Sequence, residues 1–400
     1  LGDPEGNQSP AAMVGALRNA LQQHASMPDD PLMARDVLAK AADLAGALRA
    51  SSATVQTARA EADADMIESV ERINTLLSQF ETLNTEIVRG THKGADITAK
   101  LDARDQVMAG IAEEIGIRIV RRADNDVALY TDGGVTLFET KARSVVMAPT
   151  NVFEAAIIGQ AIFIDGVKVT GGGAMQLGAG RLAGLAAFRD GTAVSYQGQL
   201  DEIARGLVEV FAESDQGDPP TLPPVPGLFT HAGAPAMPAK GVVSPGLAAS
   251  LAINPNADPE QGGDLRRLRD GGIGDPTAPG YVYNSTGASA FAERLQALAD
   301  GFDQKQVFDP SLDTPENADL GSLASASAGW LEAARQKAAA DIDYRDALLA
   351  RWTQALSNAT GVNIDEEMTA LLELERSYQA SAKLIATVDA MLGALLAAVR

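Results

Sequence analysis

GVNIDEEMTALLELERSYQASAKLIATVDAMLGALLAAVR closes the chain, from Gly361 to Arg400, and its spacing decides the fold. Leu371, Tyr378, Ile385, Leu392 and Val399 recur every seven positions, and Ile364 extends that column by one heptad. A second column of Met368, Ala382 and Leu396 stands four residues after members of the first, with Glu375 and Asp389 as polar breaks. Leu374, Val388 and Leu395 widen the apolar face beyond a two-position seam. Alternating 4-3 spacing demands a helix, because the period of two in a strand does not reproduce it. Asn363 followed by Glu366 reads as a capping box, and Asp365, Glu366 and Glu367 suit the positive end of the helix dipole. From Asp365 to the end the helix would be roughly 54 Å long, at about 1.5 Å per residue. A helix of that length needs partners along it. The candidate site is therefore an assembly face made of Ile364, Met368, Leu371, Tyr378, Ala382, Ile385, Leu392, Leu396 and Val399. A helix packed inside its own domain is the alternative that pattern alone leaves open.

Composition narrows the rest. The 400 residues exceed one ordinary core, so two or three domains are expected. Hydrophobic residues make up 46% of the chain and aromatics only 4%, with Ala leading the apolar set, which suits long helices better than broad sheets. A formal charge of −21 argues against binding a phosphate backbone, so no nucleic-acid partner is expected. The chain has no cysteine, which fits a cytoplasmic protein and equally one exported unfolded. No apolar run approaches the roughly 18 residues of a membrane span, and no cleavable signal pattern is present.

Outward from the tail, the spacing predicts further long helices. Ser9-Pro10 and Asp30-Pro31 are cap-plus-Pro starts for helices near 10–25 and 31–50. A third helix, from about Ser52 to Arg89, carries Met66, Val70, Ile73, Leu77, Phe80 and Ile87 on one seam, and Gly90 is a natural stop. Ile97, Leu101, Met108, Ile111 and Ile115 mark a fourth. The period then changes. IRIVRRADNDVALYTDGGVTLFET alternates and turns at Asp124-Asn125 and at Asp132-Gly133-Gly134, and AIFIDGVKVTGG turns at Asp165-Gly166, so hairpins are expected. The Gly-rich patch Gly171–Gly184 feeds another helix. DPPTLPPVPG is a stiff linker, and of the loose stretch after it only Leu247–Asn254 reads as a strand. Helix returns near Thr286, and a long helix from about Leu320 to Ala359 bears Ala338, Ile342, Leu349, Trp352 and Leu356.

The expected class is mainly α with an inserted β-rich part, an elongated antiparallel bundle of long helices. Its divisions would be a discontinuous helical rod of 1–117 plus 286–400, a β-hairpin or meander region at 118–180, a helix returning to the rod at 181–214, and an irregular or β-rich exposed region at 215–285.

Reactive constellations are sparse. His24, His92 and His231 lie in separate segments with no metal-ligand spacing, and read as surface or capping histidines. Gly178-x-Gly180-x-x-x-Gly184 departs from the phosphate-binding spacing and reads as a tight turn before a helix. Asp29-Asp30, Asp63-x-Asp65 and Asp365-Glu366-Glu367 are read as helix starts or solvated faces. Arg266, Arg267 and Arg269 are read as a solvated or self-paired loop. No catalytic residue, cofactor site or metal site is assigned.

The wording of the tail adds what periodicity lacks. SYQASAK at Ser377–Lys383 and TVDAMLGALL at Thr387–Leu396, after an acidic start, resemble the C-terminal signature of flagellar axial proteins, most closely the flagellar hook-associated protein 1 (FlgK) family. LDARDQVMAGIAEEIGIRI (Leu101–Ile119), GRLAGLAAFRDG (Gly180–Gly191), the Gln199–Leu207 helix and LAASLAINPNADPEQGG resemble further segments of that family in the same order. The resemblance implies a structural, non-enzymatic subunit at the junction of hook and filament. It also implies an extracellular, secreted location reached without a cleaved signal peptide. Its partners would be copies of itself in a ring, the hook protein, the second hook-filament junction protein, and an export chaperone on the C-terminal helix. The family begins with a helix bearing an N-I-A-N-type motif; none stands before Ser9, so the expectation is a chain truncated at its N-terminus. Another flagellin-like axial subunit or secreted coiled-coil interaction protein is the alternative, and the LDARDQ and FRDG segments favour the first junction protein.

Overall fold

The computed structural model describes residues 9–360 and 364–398. Ser9 caps α1 (Pro10–Ser26) by accepting the Ala12 amide, and Asp30 caps α2 (Pro31–Lys93) by accepting the Leu32 amide. Proline follows each cap, where its missing N–H costs nothing. Helix α2 runs unbroken for 63 residues and stops at Gly94, whose φ of 65° is left-handed. This corrects the expected break between 50 and 52. Ser51 and Ser52 read as a helix start, but both are buried inside the helix, and the Ser52 hydroxyl donates to Gln197 Oε1 at 2.9 Å. With no Pro after Pro31, the backbone has no reason to stop, and Gly46 is carried inside the helix.

Helix α3 (Thr98–Glu114) leads into β1 (Ile117–Arg121), β2 (Val127–Thr131) and β3 (Thr136–Phe138), an antiparallel sheet in that order. Asp124 and Asn125 make the expected turn, both with positive φ. A second antiparallel sheet follows, of β4 (Val145–Met147), β5 (Ile162–Ile164) and β6 (Val167–Lys168), closed by the expected Asp165-Gly166 turn. Then α4 (Arg181–Ala187) passes through a π-helical turn at Phe188–Thr192 into α5 (Ala193–Val210).

Beyond α5 the chain is irregular. It holds β7 (Phe229–Thr230), α6 (Leu247–Ser250), β8 (Ala252–Ile253), α7 (Arg267–Asp270) and α8 (Glu293–Gly301), with β7 paired to β8. The strand expected over Leu247–Asn254 is mostly a helical turn. Leu247, Ala248 and Leu251 are buried at helical spacing, and the Asp201 carboxylate collects the Gly246 and Ala248 amides at 2.9 and 2.8 Å. Helix α8 starts seven residues after the expected Thr286, because Asn284 ties the preceding chain into a turn by accepting the Ala288 amide. A short β9 (Gln306–Val307) pairs with β10 (Asn317–Ala318) before α9 (Leu320–Thr360) and α10 (Ile364–Ala398).

Two apolar cores result. In the first, Leu17 of α1, Leu44 and Leu48 of α2, and Leu200 and Leu207 of α5 meet Phe211, whose ring stands edge-on to Phe229 at 5.1 Å and to Phe302 at 5.9 Å. Leu228, Leu268 and Ile273 of the irregular stretch are buried in this core. In the second, Phe80 of α2 meets Phe138 edge-on at 4.9 Å, with Ile111, Ile162 and Leu182 around them. The apolar side of the β5 hairpin faces inward, with Ile162 and Ile164 buried and Phe163 outward. Helix α2 contributes to both cores, through Val55 in the first and from Met66 onward in the second.

The chain divides into two compact units, up to Ala334 and from Arg335. The start of α9 belongs to the first, where Leu320 and Leu323 are buried and the Ser327 hydroxyl donates to Gln199 Oε1. The second unit is the rest of α9 together with α10.

Candidate assembly interface

Helix α10 is built from strong helix formers, with Ala and Leu throughout, Glu in its first half and no Pro. Its seam residues Met368, Leu371, Tyr378, Ile385 and Leu392 are between 54% and 77% exposed, and Ala382 is exposed beside them. The Val399 residue and the side chains of Ile364 and Leu396 lie outside the described residues. A single described chain thus leaves the candidate face open along its described length. Burying a Leu or Ile completely contributes about 1.5–3 kcal/mol, so five such positions represent a driving force of order 10 kcal/mol. Exposure of this kind marks an interaction surface or an aggregation liability. The rest of α9 shows the same pattern. Ile342, Leu349 and Trp352 repeat at helical spacing and are 60–69% exposed.

The other sequence candidates separate cleanly. His92 stands 3.6 Å from Asp124 on the surface, and half-buried His231 accepts the Gly233 amide on Nδ1 while Nε2 faces the Ala236 carbonyl. His24 corrects the surface reading: it is buried, neither ring nitrogen has a hydrogen-bond partner among the described residues, and burial lowers its pKa. Gly180 makes the tight turn before α4 with a φ of 92°. Arg266 pairs with Asp264 and Arg269 with Asp270, so that cluster is self-paired. Among the described residues no group of three or more His, Asp or Glu could hold a metal, and no helix is long and apolar enough to cross a membrane.

Asp63 is the second correction. Read as solvated, it is buried and forms the centre of a polar hub. It accepts the Thr150 amide at 3.0 Å, the Thr150 hydroxyl at 3.1 Å and a short ion-paired bond from Nη1 of the fully buried Arg189. Arg189 Nη2 donates to the Gln160 carbonyl and to Asp190, each at 2.8 Å. Arg59, one turn before Asp63, donates to the carbonyls of Arg189, Glu154 and Ile157. The hub fastens the 150–160 loop to α2. Sequence reasoning had a signal for it: Arg59 and Asp63 continue the seam of Met66 and Val70 backward at helical spacing, so they were placed to be inside.

A groove of about 1070 Å³ lies between that loop and the 231–250 segment, walled by Phe153, Met237, Leu247 and Ala53 among others. Its histidine, His231, is engaged by its own loop, so the groove gathers no reactive set. Behind it, burial pushes the Asp201 carboxyl up to about 6, against the pull of the Ala248 and Gly246 amides and the Gln197 side chain.

Residues 4–217 match the family described as the flagellar hook-associated protein FlgK helical domain. Residues 353–398, which include the whole of α10, match the C-terminal family of the flagellar basal body rod FlgEFG proteins. Among curated proteins no relative matches. Among solved structures, the flagellar hook junction protein FlgK from Burkholderia pseudomallei is similar at 22% identity and a TM-score of 0.46, over 58% of this chain and 42% of its own. The chain therefore spans less than half the length of that protein. With more than half of its residues matched to the FlgK helical domain, in the stretch that carries LDARDQ and FRDG, the chain belongs to the FlgK family of flagellar hook-associated proteins.

Proposed function

We propose that this chain is a structural subunit of the bacterial flagellum, placed outside the cell at the junction between hook and filament. It works by helix packing and catalyses nothing. The observation that carries this reading is the open seam of α10, an apolar heptad face more than half exposed in the single chain. An amphipathic helix that cannot bury its face alone is completed by assembly, with neighbouring copies and other axial proteins supplying the missing side. In this reading copies form a ring that meets the hook protein on one side and the second junction protein on the other. Before export a chaperone covers the α10 face.

The test is to change Leu371, Ile385 and Leu392 to Asp in the full-length protein. Filaments should no longer attach to hooks, while the folded first unit keeps its stability. Filaments that attach normally would refute an assembly role for this face. The match of the tail to rod-protein C-termini favours one alternative, a different axial or secreted coiled-coil subunit that uses the same tail. Co-purification separates the two, since a junction subunit should bring down hook protein.

A further inference from the structure

Strand β1 lies at the end of its sheet, and its ladder to β2 has a fixed parity. Beyond one end of the ladder the Asp132 amide donates to the Gly116 carbonyl at 2.9 Å. Beyond the other the Arg122 amide donates to the Asp126 carbonyl at 2.8 Å, and both bonds keep the register that pairs Ile117 with Thr131. Bonded residues of an antiparallel pair alternate, so Arg118 and Val120 turn their backbone groups to β2, while Ile117, Ile119 and Arg121 turn theirs outward. Among the described residues no hydrogen-bond partner meets those outward groups. Residues 118–121 are all exposed, Ile119 at 45% and Val120 at 39%, while Ile117 packs against the second core. Neither Arg118 nor Arg121 has an ion pair among the described residues, whereas neighbouring Arg122 reaches both Asp126 and Glu139. Two unpaired cations thus flank two exposed apolar side chains, on a chain of net charge −21.

We propose that the outer edge of β1 receives an extended acidic segment of a partner protein as a fourth strand of the β1–β3 sheet. The outward amides and carbonyls of Ile117, Ile119 and Arg121 supply the ladder. Charge and shape then set the pattern of the incoming segment. Residues directly opposite one another across a sheet have Cβ atoms about 4.5–5.5 Å apart. Carboxylates opposite Arg118 and Arg121 therefore stand three positions apart, with two apolar residues between them opposite Ile119 and Val120. The segment reads acid-apolar-apolar-acid.

Charge selects this occupant over a second copy of the same edge. Arginine on an edge strand guards against like pairing, and two β1 edges would crowd four arginines into one ladder. An acidic strand meets no such barrier. A phosphate backbone, the other common partner of arginine, is repelled by the charge of the whole chain. The inference is independent of the α10 face, which belongs to the other compact unit.

The probe is a capped, fluorophore-labelled peptide, Thr-Glu-Val-Val-Glu-Thr, titrated with the 400-residue chain and followed by anisotropy. Saturable binding is expected, weaker by at least about tenfold for R118E/R121E and for the charge-reversed peptide Thr-Lys-Val-Val-Lys-Thr. That variant and that peptide together should restore it. Both arginines are exposed, so the circular dichroism of the variant should match the wild type. Residue-resolved hydrogen exchange reads the ladder itself. Bound peptide should slow the Ile117, Ile119 and Arg121 amides by at least about tenfold and leave Arg118 and Val120, already bonded to β2, as they were. No saturation up to about 1 mM, equal binding of the two peptides, or slowing of both parities alike would overturn the proposal. So would β1 amides that slow with rising protein concentration and no peptide, the result expected when two edges pair with each other.

Discussion

Replacing Asp63 by Ala removes the carboxylate on which the polar hub converges. Three donors lose their acceptor: the Thr150 amide, the Thr150 hydroxyl and Nη1 of Arg189. Arg189 is fully buried and is left with Asp190, which is partly exposed, as its remaining counter-charge. Breaking a buried ion pair by removing one partner costs about 3–5 kcal/mol, most of it the penalty of an uncompensated buried charge. Asp190 softens that penalty, which places D63A at the low end, about 3 kcal/mol. Urea denaturation of the full chain, followed by near-UV circular dichroism, reads the cost in the first unit. Hydrogen exchange should also show the 150–160 amides opening, because their carbonyl anchors at Glu154, Ile157 and Gln160 depend on the same two arginines. The double variant D63L/R189M removes both charges and should cost less than the sum of the single changes by about 2 kcal/mol. A D63A protein within about 0.5 kcal/mol of wild type, or single changes that simply add, would show that the hub holds nothing together.

Asp201 predicts a pH dependence of unusual sign. Its folded pKa, near 6, lies above the ordinary 3.8, so the folded state binds the proton more tightly than the unfolded state. Its contribution to stability therefore rises as pH falls from above 6 towards 4, by up to about 3 kcal/mol. D201N should remove that slope, as urea midpoints measured at several pH values will show. Gly180→Ala should destabilise by about 2 kcal/mol or more, because φ is 92° and the new Cβ would sit 2.6 Å from Ile115 Cα. Gly184→Ala, with nothing within 4 Å, should be neutral or stabilising by up to about 1 kcal/mol, and thermal melts of the two variants will check both. Leu200→Ala in the first core should cost about 2–5 kcal/mol, whereas Leu371→Ala on α10 should change the melting of dilute protein by less than about 0.5 kcal/mol.

What was legible in the sequence was whatever a short-range pattern fixes. The α10 face, the Asp165-Gly166 hairpin and the two Pro-led helix starts each follow from residues within one or two turns of one another. What was not legible depends on partners far along the chain. Ser51 and Ser52 read as a break because Gln197, which takes the Ser52 hydroxyl, lies 145 residues away. Leu247–Asn254 read as a strand because a short apolar run is ambiguous between helix and strand, and Asp201, which draws the Gly246 and Ala248 amides into a turn, lies on another helix. Asp63 is the instructive case. Its burial was readable from its place on the α2 seam, but the residue type argued for water, and only Arg189, 126 residues on, resolves the conflict. The α10 seam shows the converse: its spacing was plain, and its described apolar residues stand exposed in the single chain.

Helix α2 hands over from one apolar core to the other between Val55 and Met66, and Arg59 and Asp63 stand in that interval. Neither greasy mass reaches across the gap, so a bare helix there would be the natural place to flex. Instead the guanidinium and carboxylate groups rivet a loop and the FRDG turn onto the strut at its narrowest support. Twisting one core against the other would have to rupture consecutive backbone hydrogen bonds of α2 as well as the rivet. Under the proposed axial role, a load applied at one core is expected to reach the other through α2 with no joint between them.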